Sequence, residues 1–246
     1  MSVATDLSRP AYYALASGGW RDYVTLLHPP YTAWHLSFVA IGAALTPAFS
    51  LYRLLPTLAA FFLAVGIGAH ALDELHGRPL KTRIPDAVLV ALGAASLVIA
   101  VGIGAVGVAF VDPWIGVFVA AGSFIVVAYS LELFAGRFHS DYWFALSWGS
   151  FPVLTGFFAA AGTVSVAALF GALFAFALSL AQRHLSTRVR DVRRRVARVT
   201  GTVTRHDGSV EPITASDLAK AEEVALRALT GATVALAAAL VAMRVA

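Results

Sequence analysis

The chain of 246 residues lacks cysteine entirely and carries little charge. Without cysteine, disulfide frameworks, cysteine-based zinc sites, iron–sulfur clusters and a thiol nucleophile are excluded. Charged residues make up 13% of the chain, about half the share typical of a soluble domain, whereas apolar residues make up 59%. Together with a mean hydropathy of +0.78, this composition excludes a disordered chain and indicates an integral membrane protein.

Seven apolar stretches are long enough to cross the hydrocarbon core of a bilayer, which takes about 20 residues. Because they lack the polar alternation of barrel strands, we expect helices. The sequence therefore predicts an all-α fold, a polytopic transmembrane bundle of about seven helices. The predicted spans are Ala33–Leu51, Leu54–Leu72, Asp86–Val111, Trp114–Phe134, Tyr142–Ala161, Val164–Leu180 and Ala225–Val245.

The basic residues predict how the bundle is oriented. With the N-terminus inside, sixteen lysines and arginines fall in inside connections, and only Arg53 and Arg244 fall outside. This positive-inside bias predicts a cytoplasmic N-terminus in a plasma or other inner membrane. The first 30 residues show no basic region followed by a short apolar core and cleavage site, so we expect no cleavable signal peptide.

Residues 183–223 differ in composition from the rest of the chain. We divide the chain into a six-helix bundle (1–182), a cytoplasmic basic segment (183–223) and a last membrane helix (224–246). Alternation around Asp207-Gly208 predicts a short hairpin, and Thr214 to Asp217 is typical of a helix N-terminus. The arginines favour anionic lipid head groups as partners. Nucleic acid is not expected, because no aromatic stacking platform accompanies the charge.

The densest cluster of ionisable residues ends the second predicted span. His70 lies three residues before Asp73 and four before Glu74, so a helix places all three on one face. With His76 nearby, this face is a candidate site for a divalent cation. The basic residues that follow are candidate donors to a phosphate or carboxylate: Arg78, Lys81 and Arg83. The alternative is a capped helix end with local ion pairs, each of little energetic value when exposed.

Polar residues also end the fourth and sixth predicted spans, on the same side. The fourth is followed by Glu132, Arg137, His139 and Asp141, and the sixth by Gln182, Arg183, His184, Arg188, Arg190 and Asp191. His28 and His35 lie near the start of the first span. We therefore expect polar side chains from spans two, four and six around one cytoplasmic opening.

Several of these stretches resemble the UbiA superfamily of intramembrane prenyltransferases. Gly77 to Ile84, after an acidic helix end, is similar to the family's segment following its first Asp-rich motif. Tyr129-Ser130, with Arg137 as the following basic residue, resembles the family's Tyr-Ser. Trp148 to Gly156 resembles its Gly-x-x-Pro-x-x-x-Gly segment. The resemblance covers roughly residues 20–195.

This resemblance implies an enzyme that binds a prenyl diphosphate through Mg²⁺ and transfers the chain to a lipophilic acceptor, or cyclises it. Asp73, Glu74 and His70 are then the catalytic and metal-binding residues, with His76 and Asp191 as further ligands. The implied diphosphate-binding residues are Arg78, Lys81, Arg83, Tyr129, Arg137, Arg183, Arg188 and Arg190. The sequence departs from the family where His70 replaces the first Asp of the first motif and Gln182 stands at the second.

Two other classes of function stay open from the sequence. Imidazole suits iron or zinc better than Mg²⁺, so the histidines and carboxylates are also compatible with a metalloenzyme of another class acting on a lipid. The weakened second motif is compatible with a non-catalytic protein that binds a lipid or a partner. The sequence does not indicate the chain length, the acceptor or the oligomeric state.

Overall fold

The structure, a computed structural model, describes residues 9–246; residues 1–8, part of the predicted cytoplasmic N-terminus, lie outside the described residues. A short helix, α1 (Trp20–Leu26), precedes seven longer helical elements. These are α2 (Pro29–Ala44), α3 (Leu51–Leu75), α4 (Asp86–Phe110), α5 (Ile115–Ser130), α6 (Asp141–Ala161), α7 (Val166–Arg195) and α8 (Lys220–Val245). Strands β1 (Thr202–Thr204) and β2 (Val210–Pro212) form an antiparallel hairpin between α7 and α8.

The all-helical character and the apolar length of the helices are confirmed. Five helices, α3, α4, α6, α7 and α8, are long and apolar enough to cross a membrane. α5 is apolar but has 16 residues, and α2 also has 16. The first predicted span is placed too late in the chain, because Pro29 at the first helical position starts α2 early and the helix ends at Ala44, three residues before Pro47.

Glycine lets the helix backbones of α2 and α6 touch. A Cβ atom added to Gly42 would fall inside van der Waals distance of the Val153 carbonyl oxygen, and one added to Gly156 would do the same at Val39. The fully buried side chains of Trp34 and Phe38 pack in the same region. Small residues at such contacts replace the hydrophobic driving force that is absent between helices in lipid.

Two helices contain π-helical segments. In α3 the segment is Phe62–Ala69, directly before His70, and in α6 it is Leu146–Ser150, which contains Trp148. Gly149 in the second segment packs against α7, where an added Cβ would lie 2.7 Å from the Ser179 hydroxyl oxygen. π-helical turns are frequent at functional sites.

The bundle has two ends of different character. At the polar end, α3, α5 and α7 finish while α4 and α6 begin; at the far end, α4 finishes and α5 begins. The far end holds Arg53, which donates to the Ala160 carbonyl oxygen at 2.8 Å, and Arg244, which donates to the Ala44 carbonyl oxygen at 2.8 Å. Both carbonyls lie at or beside a helix C-terminus, where oxygens lack helical partners.

The predicted segment boundaries fall inside helices. α7 runs without interruption through residue 183, and α8 begins at Lys220, before residue 224. The two helices are joined at the polar end by an ion pair between Arg193 Nε and Glu223 Oε1 at 2.6 Å, with both side chains 3% exposed. The chain forms a hairpin where Asp207-Gly208 indicates one, and Thr214 and Asp217 form a capping box on the short helix Ala215–Leu218.

Candidate functional site

A cavity of about 270 Å³ lies at the polar end, between α2, α3, α5, α6 and α7. It brings together the polar ends of α3, α5 and α7, which the sequence analysis expected around one opening. Its ionisable and polar lining residues are His28, Tyr31, His35, His70, Asp73, His76, Tyr129, Ser130, Glu132, His139, Gln182, Arg183, Ser186, Arg190 and Arg194.

Three arginines on α7 give the cavity a positive wall. Arg183 donates through Nε to Asp141 Oδ1 at 2.9 Å and lies over the Phe144 ring, so its charge is partly balanced. Arg190 bonds the Thr187 hydroxyl at 2.8 Å, and Arg194 makes a long 3.4 Å bond to the Pro10 carbonyl. Neither Arg190 nor Arg194 makes an ion pair with a carboxylate in residues 9–246. The cavity is therefore suited to an anion.

Two buried polar atoms in the cavity wall have no hydrogen-bond partner among the described residues: the Tyr129 hydroxyl and Gln182 Oε1. Both residues are at most 5% exposed. Buried polar groups in native proteins nearly always have a partner, whether protein or water. These two atoms therefore need a partner that is not among the described residues, either a water molecule or a polar group of a ligand.

Five of the seven histidines line this cavity. His35, His70 and His139 each direct Nδ1 at a backbone carbonyl oxygen, at 2.9, 3.1 and 3.2 Å. A carbonyl can only accept, so each Nδ1 carries the proton, and in the neutral ring Nε2 keeps a free lone pair. These rings are therefore set as bases or as metal ligands through Nε2.

His28, which precedes α2, stacks on His70 with ring centroids 4.0 Å apart. Its Nδ1 lies 2.8 Å from the Tyr13 hydroxyl oxygen. Burial, with a smaller effect of His70, holds the pKa of His28 well below its ordinary value, and burial raises the pKa of Tyr13. At neutral pH the pair is uncharged, so it adds no charge to the cavity.

Asp73 lines the cavity, but Glu74, one residue later, does not. The Glu74 carboxylate is fully buried and accepts hydrogen bonds from the Leu80 and Thr82 backbone amides and from the Thr82 hydroxyl, at 2.8 to 2.9 Å. It fixes the connection between α3 and α4. The expected common face of His70, Asp73 and Glu74 is thus divided, since only the first two face the cavity.

Other predicted residues also lie away from the cavity. Arg78 folds back onto its own loop, where it bonds the Ile84 carbonyl and pairs with Asp86. Asp191 pairs with Arg195 at 3.7 Å. The remaining basic candidates are exposed and do not line the cavity: Lys81, Arg83, Arg137 and Arg188. The predicted residues that the cavity does bring together are His70, Asp73, His76, Tyr129, Arg183 and Arg190.

Within residues 9–246, no group of three or more His, Asp or Glu side chains is placed to hold a metal ion.

Arg194 is the clearest residue that sequence reasoning missed. Ser186, Arg190 and Arg194 are spaced four residues apart on α7 and therefore share a helix face, whereas Arg188 points elsewhere. In the basic run, a spacing of four residues predicts that Arg194, and not Arg188, lies on the same helix face as Arg190. An interpretation of the run as a cytoplasmic basic segment that attracts lipid head groups does not use this periodicity.

A second cavity, of about 440 Å³, lies deeper in the bundle between α3, α4, α5 and α6. Its wall is almost wholly apolar and extends to Tyr52, Arg53 and Phe110 at the far end. Val65 and Trp148 line both cavities, so the polar and apolar cavities are neighbours with these two side chains between them.

Comparison of the chain with protein families, with curated proteins and with solved structures found no match.

Proposed function

We propose that this protein is an intramembrane enzyme of the prenyltransferase type, which acts on an isoprenoid diphosphate and a lipophilic acceptor or cyclises the chain. The observation that carries the proposal is that Arg190 and Arg194 face the polar cavity without a carboxylate partner among the described residues. A diphosphate supplies the missing negative charge and several acceptor oxygens. The orientation we propose places this cavity on the cytoplasmic side, as the positive-inside bias predicts.

The neighbouring cavities support an amphiphilic ligand over a small soluble anion. A head group beside Arg190 and Arg194 leaves its attached chain directed past Trp148 into the apolar cavity. The Tyr129 hydroxyl, which lacks a partner, is a donor to the head group at the same place. Transfer breaks the bond between carbon 1 and a diphosphate oxygen, joins that carbon to the acceptor, and releases diphosphate and a proton.

The donor set fits one Mg²⁺ ion better than a metal cluster. Asp73 is a carboxylate in the cavity wall, and Glu132 lies at its rim with a side chain 45% exposed. Mg²⁺ is commonly held by one or two carboxylates together with substrate phosphates. When bound, the ion would neutralise charge on the leaving diphosphate. The chain's own contribution is the arginine wall, which binds the head group, and the apolar helices, which exclude water.

Titration of the detergent-solubilised protein with inorganic diphosphate and prenyl diphosphates, with and without Mg²⁺, tests the head-group site. Arg190→Gln is expected to weaken binding by about tenfold or more, the value of a charge-assisted hydrogen bond. Arg188→Gln is the matched control, because it removes the same charge from an exposed position on the same helix. Equal loss in both variants would show general charge attraction and would contradict the site.

The role of Asp73 has its own test. Asp73→Asn is expected to remove the Mg²⁺-dependent part of binding and to abolish turnover, while the protein stays folded and still binds inorganic diphosphate weakly through the arginines. Full turnover in purified Asp73→Asn protein would contradict the proposed metal position.

Two specific observations support other functions. The Nδ1 bonds of His35, His70 and His139 are typical of metal-ligating histidines, which favours an iron or zinc enzyme; elemental analysis showing a stoichiometric amount of either metal would favour it. Because the Glu74 carboxylate is bound by Leu80 and Thr82 of the loop, fewer carboxylates line the cavity, which favours lipid binding without turnover. A lipid that copurifies and stays unchanged with Mg²⁺ and acceptors would support that function.

A further inference from the structure

We propose that His28 is a further ligand of the head group, through a hydrogen bond that its Nε2–H group donates to the phosphate oxygens beside Arg190 and Arg194. Tyr13 is the positioning residue that fixes the hydrogen on Nε2. This proposal rests on the proposed head-group site and adds an imidazole donor to its two arginines.

The hydrogen bond between Tyr13 and His28 determines which ring nitrogen of His28 carries the hydrogen. The Tyr13 hydroxyl oxygen lies 2.8 Å from His28 Nδ1, and this hydroxyl has no other hydrogen bond among residues 9–246. An imidazole nitrogen is a stronger base than a phenolic oxygen, so the hydroxyl donates and Nδ1 accepts. A neutral ring that accepts at Nδ1 carries its hydrogen on Nε2.

Three other histidines of the cavity have the opposite arrangement. His35, His70 and His139 direct Nδ1 at a carbonyl oxygen, so their Nε2 atoms are acceptors when the rings are neutral. An acceptor nitrogen repels a phosphate oxygen, whereas an N–H group attracts it. His28 therefore differs in function from these three residues, although all four line the same cavity.

Nε2 of His28 borders the open volume of the cavity, near the two arginines. Within residues 9–246 it makes no hydrogen bond, and it is not one of the fully buried polar atoms without a partner. Burial, His70 and the charges of Arg194 and Arg190 lower the pKa of His28, so both charges lie near its ring. A hydrogen-bond donor beside two cations is favourable only when an anion lies between them.

The backbone holds the His28 ring in place before a ligand binds. The His28 amide donates to the Thr25 carbonyl at 3.1 Å, and its own carbonyl accepts from the Tyr31 and Thr32 amides at 2.8 and 3.0 Å. Its φ of 46° is left-handed, which is uncommon for a residue other than glycine. With the ring also stacked on His70, the donor loses little freedom on binding.

The first experiment determines the tautomer without any ligand. Nitrogen–proton correlation spectra of detergent-solubilised protein labelled with ¹⁵N-histidine distinguish the two tautomers, and His28→Asn identifies the His28 signal by its loss. We expect the Nε2–H form in the wild type and a mixture of both forms in Tyr13→Phe, which keeps the ring but removes the hydroxyl. The Nδ1–H form of His28 in the wild type would overturn the proposal.

The second experiment measures the dissociation constant of inorganic diphosphate without Mg²⁺. His28→Asn keeps a residue type that tolerates the left-handed backbone but has no group at the position of Nε2, so affinity should fall about tenfold, as for a hydrogen bond to a charged group. His28→Gln, whose longer amide reaches that position, should bind more tightly than His28→Asn. Tyr13→Phe should weaken binding about twofold, because the donor tautomer is then populated about half of the time.

The matched control is His184→Asn, because His184 lies on α7, is exposed and does not line the cavity. Its diphosphate affinity should equal that of the wild type. If the wild type binds diphosphate and His28→Asn binds it equally well, the role of His28 is overturned and the head-group site stands. Equal losses in His28→Asn and His28→Gln would show a structural role and would also overturn it. If the wild type does not bind diphosphate, the head-group proposal fails, and the role of His28 fails with it.

Discussion

At the far end of the bundle, each of two arginines donates to a carbonyl oxygen near a helix C-terminus, whereas at the polar end two arginines face a cavity without a carboxylate partner in the described chain. Arg53 and Arg244 complete the hydrogen bonding of Ala160 and Ala44. Among the described residues, Arg190 donates a hydrogen bond to the Thr187 hydroxyl and Arg194 donates a long one to the Pro10 carbonyl. The same residue type therefore acts on the fold at one end and is left available to a ligand at the other.

This difference gives the two arginines at the far end a role in the fold. A cation at a helix C-terminus interacts favourably with the helix dipole and satisfies an oxygen that lacks a helical partner. At the polar end, two arginines form ion pairs that connect parts of the fold: Arg193 pairs with Glu223, and Arg183 pairs with Asp141. A side chain's partners, more than its charge, separate structural residues from candidate ligand-binding residues. Five substitutions test this distinction through the free energy of unfolding.

The largest effect is expected from Glu74→Ala at the polar end. This change leaves the Leu80 and Thr82 amides buried without their acceptor and should lower the free energy of unfolding by about 3 kcal/mol or more. Unfolding by sodium dodecyl sulfate in mixed micelles measures it. Thr82→Val, which removes only the hydroxyl bond to Glu74, should cost about 1 kcal/mol. Equal effects would contradict the anchoring role of Glu74.

A smaller loss is expected from Glu223→Gln. The substitution keeps the shape of the side chain but removes the charge beside the buried Arg193 guanidinium, whose other contacts include the Arg9 carbonyl. Because those contacts stay, we expect about 2 kcal/mol, below the usual result of breaking a buried ion pair. Glu222→Gln, at the neighbouring half-buried position on α8, is the control and should change the free energy of unfolding less. No difference between the two variants would show that the pair does not hold α7 to α8.

At the far end, Arg53→Met and Arg244→Met should each lower the free energy of unfolding by about 1 kcal/mol, the value of one hydrogen bond. Methionine keeps much of the apolar stem, so the change isolates the lost bond to the carbonyl. Arg244→Met should leave diphosphate affinity unchanged. A loss of affinity in this variant would contradict the division of roles between the two ends.

The smallest effect on stability is expected from Arg194→Gln, because the 3.4 Å bond to the Pro10 carbonyl is weak. The free energy of unfolding should change by about 0.5 kcal/mol or less, while diphosphate affinity falls by about tenfold or more. Arg195→Gln is the matched control, since the neighbouring side chain is 83% exposed. A large loss of stability in Arg194→Gln would make Arg194 a structural residue and remove the contrast between the ends.

Part of the candidate site could be predicted from local sequence. Polar residues in membrane helices are expected to face the interior of the bundle, and His70, Asp73, Tyr129 and Arg183 do line one cavity. Spacing along a helix places Glu74 near His70, but it does not show which way the carboxylate turns. That depends on the amides of Leu80 and Thr82, which become buried only when the following loop folds back over the helix end.

The sequence by itself determined the membrane-helix composition, the approximate helices and the separation of charge between the two ends. These features depend on the apolar length of each segment and on the position of its charges, and not on packing between helices. Only the tertiary structure decided which charges are used within the fold and which are left to a ligand. It also decided that the polar and apolar cavities are neighbours with Val65 and Trp148 between them. Both outcomes depend on how α3, α5, α6 and α7 rotate against one another, and close packing between distant parts of the chain sets that rotation.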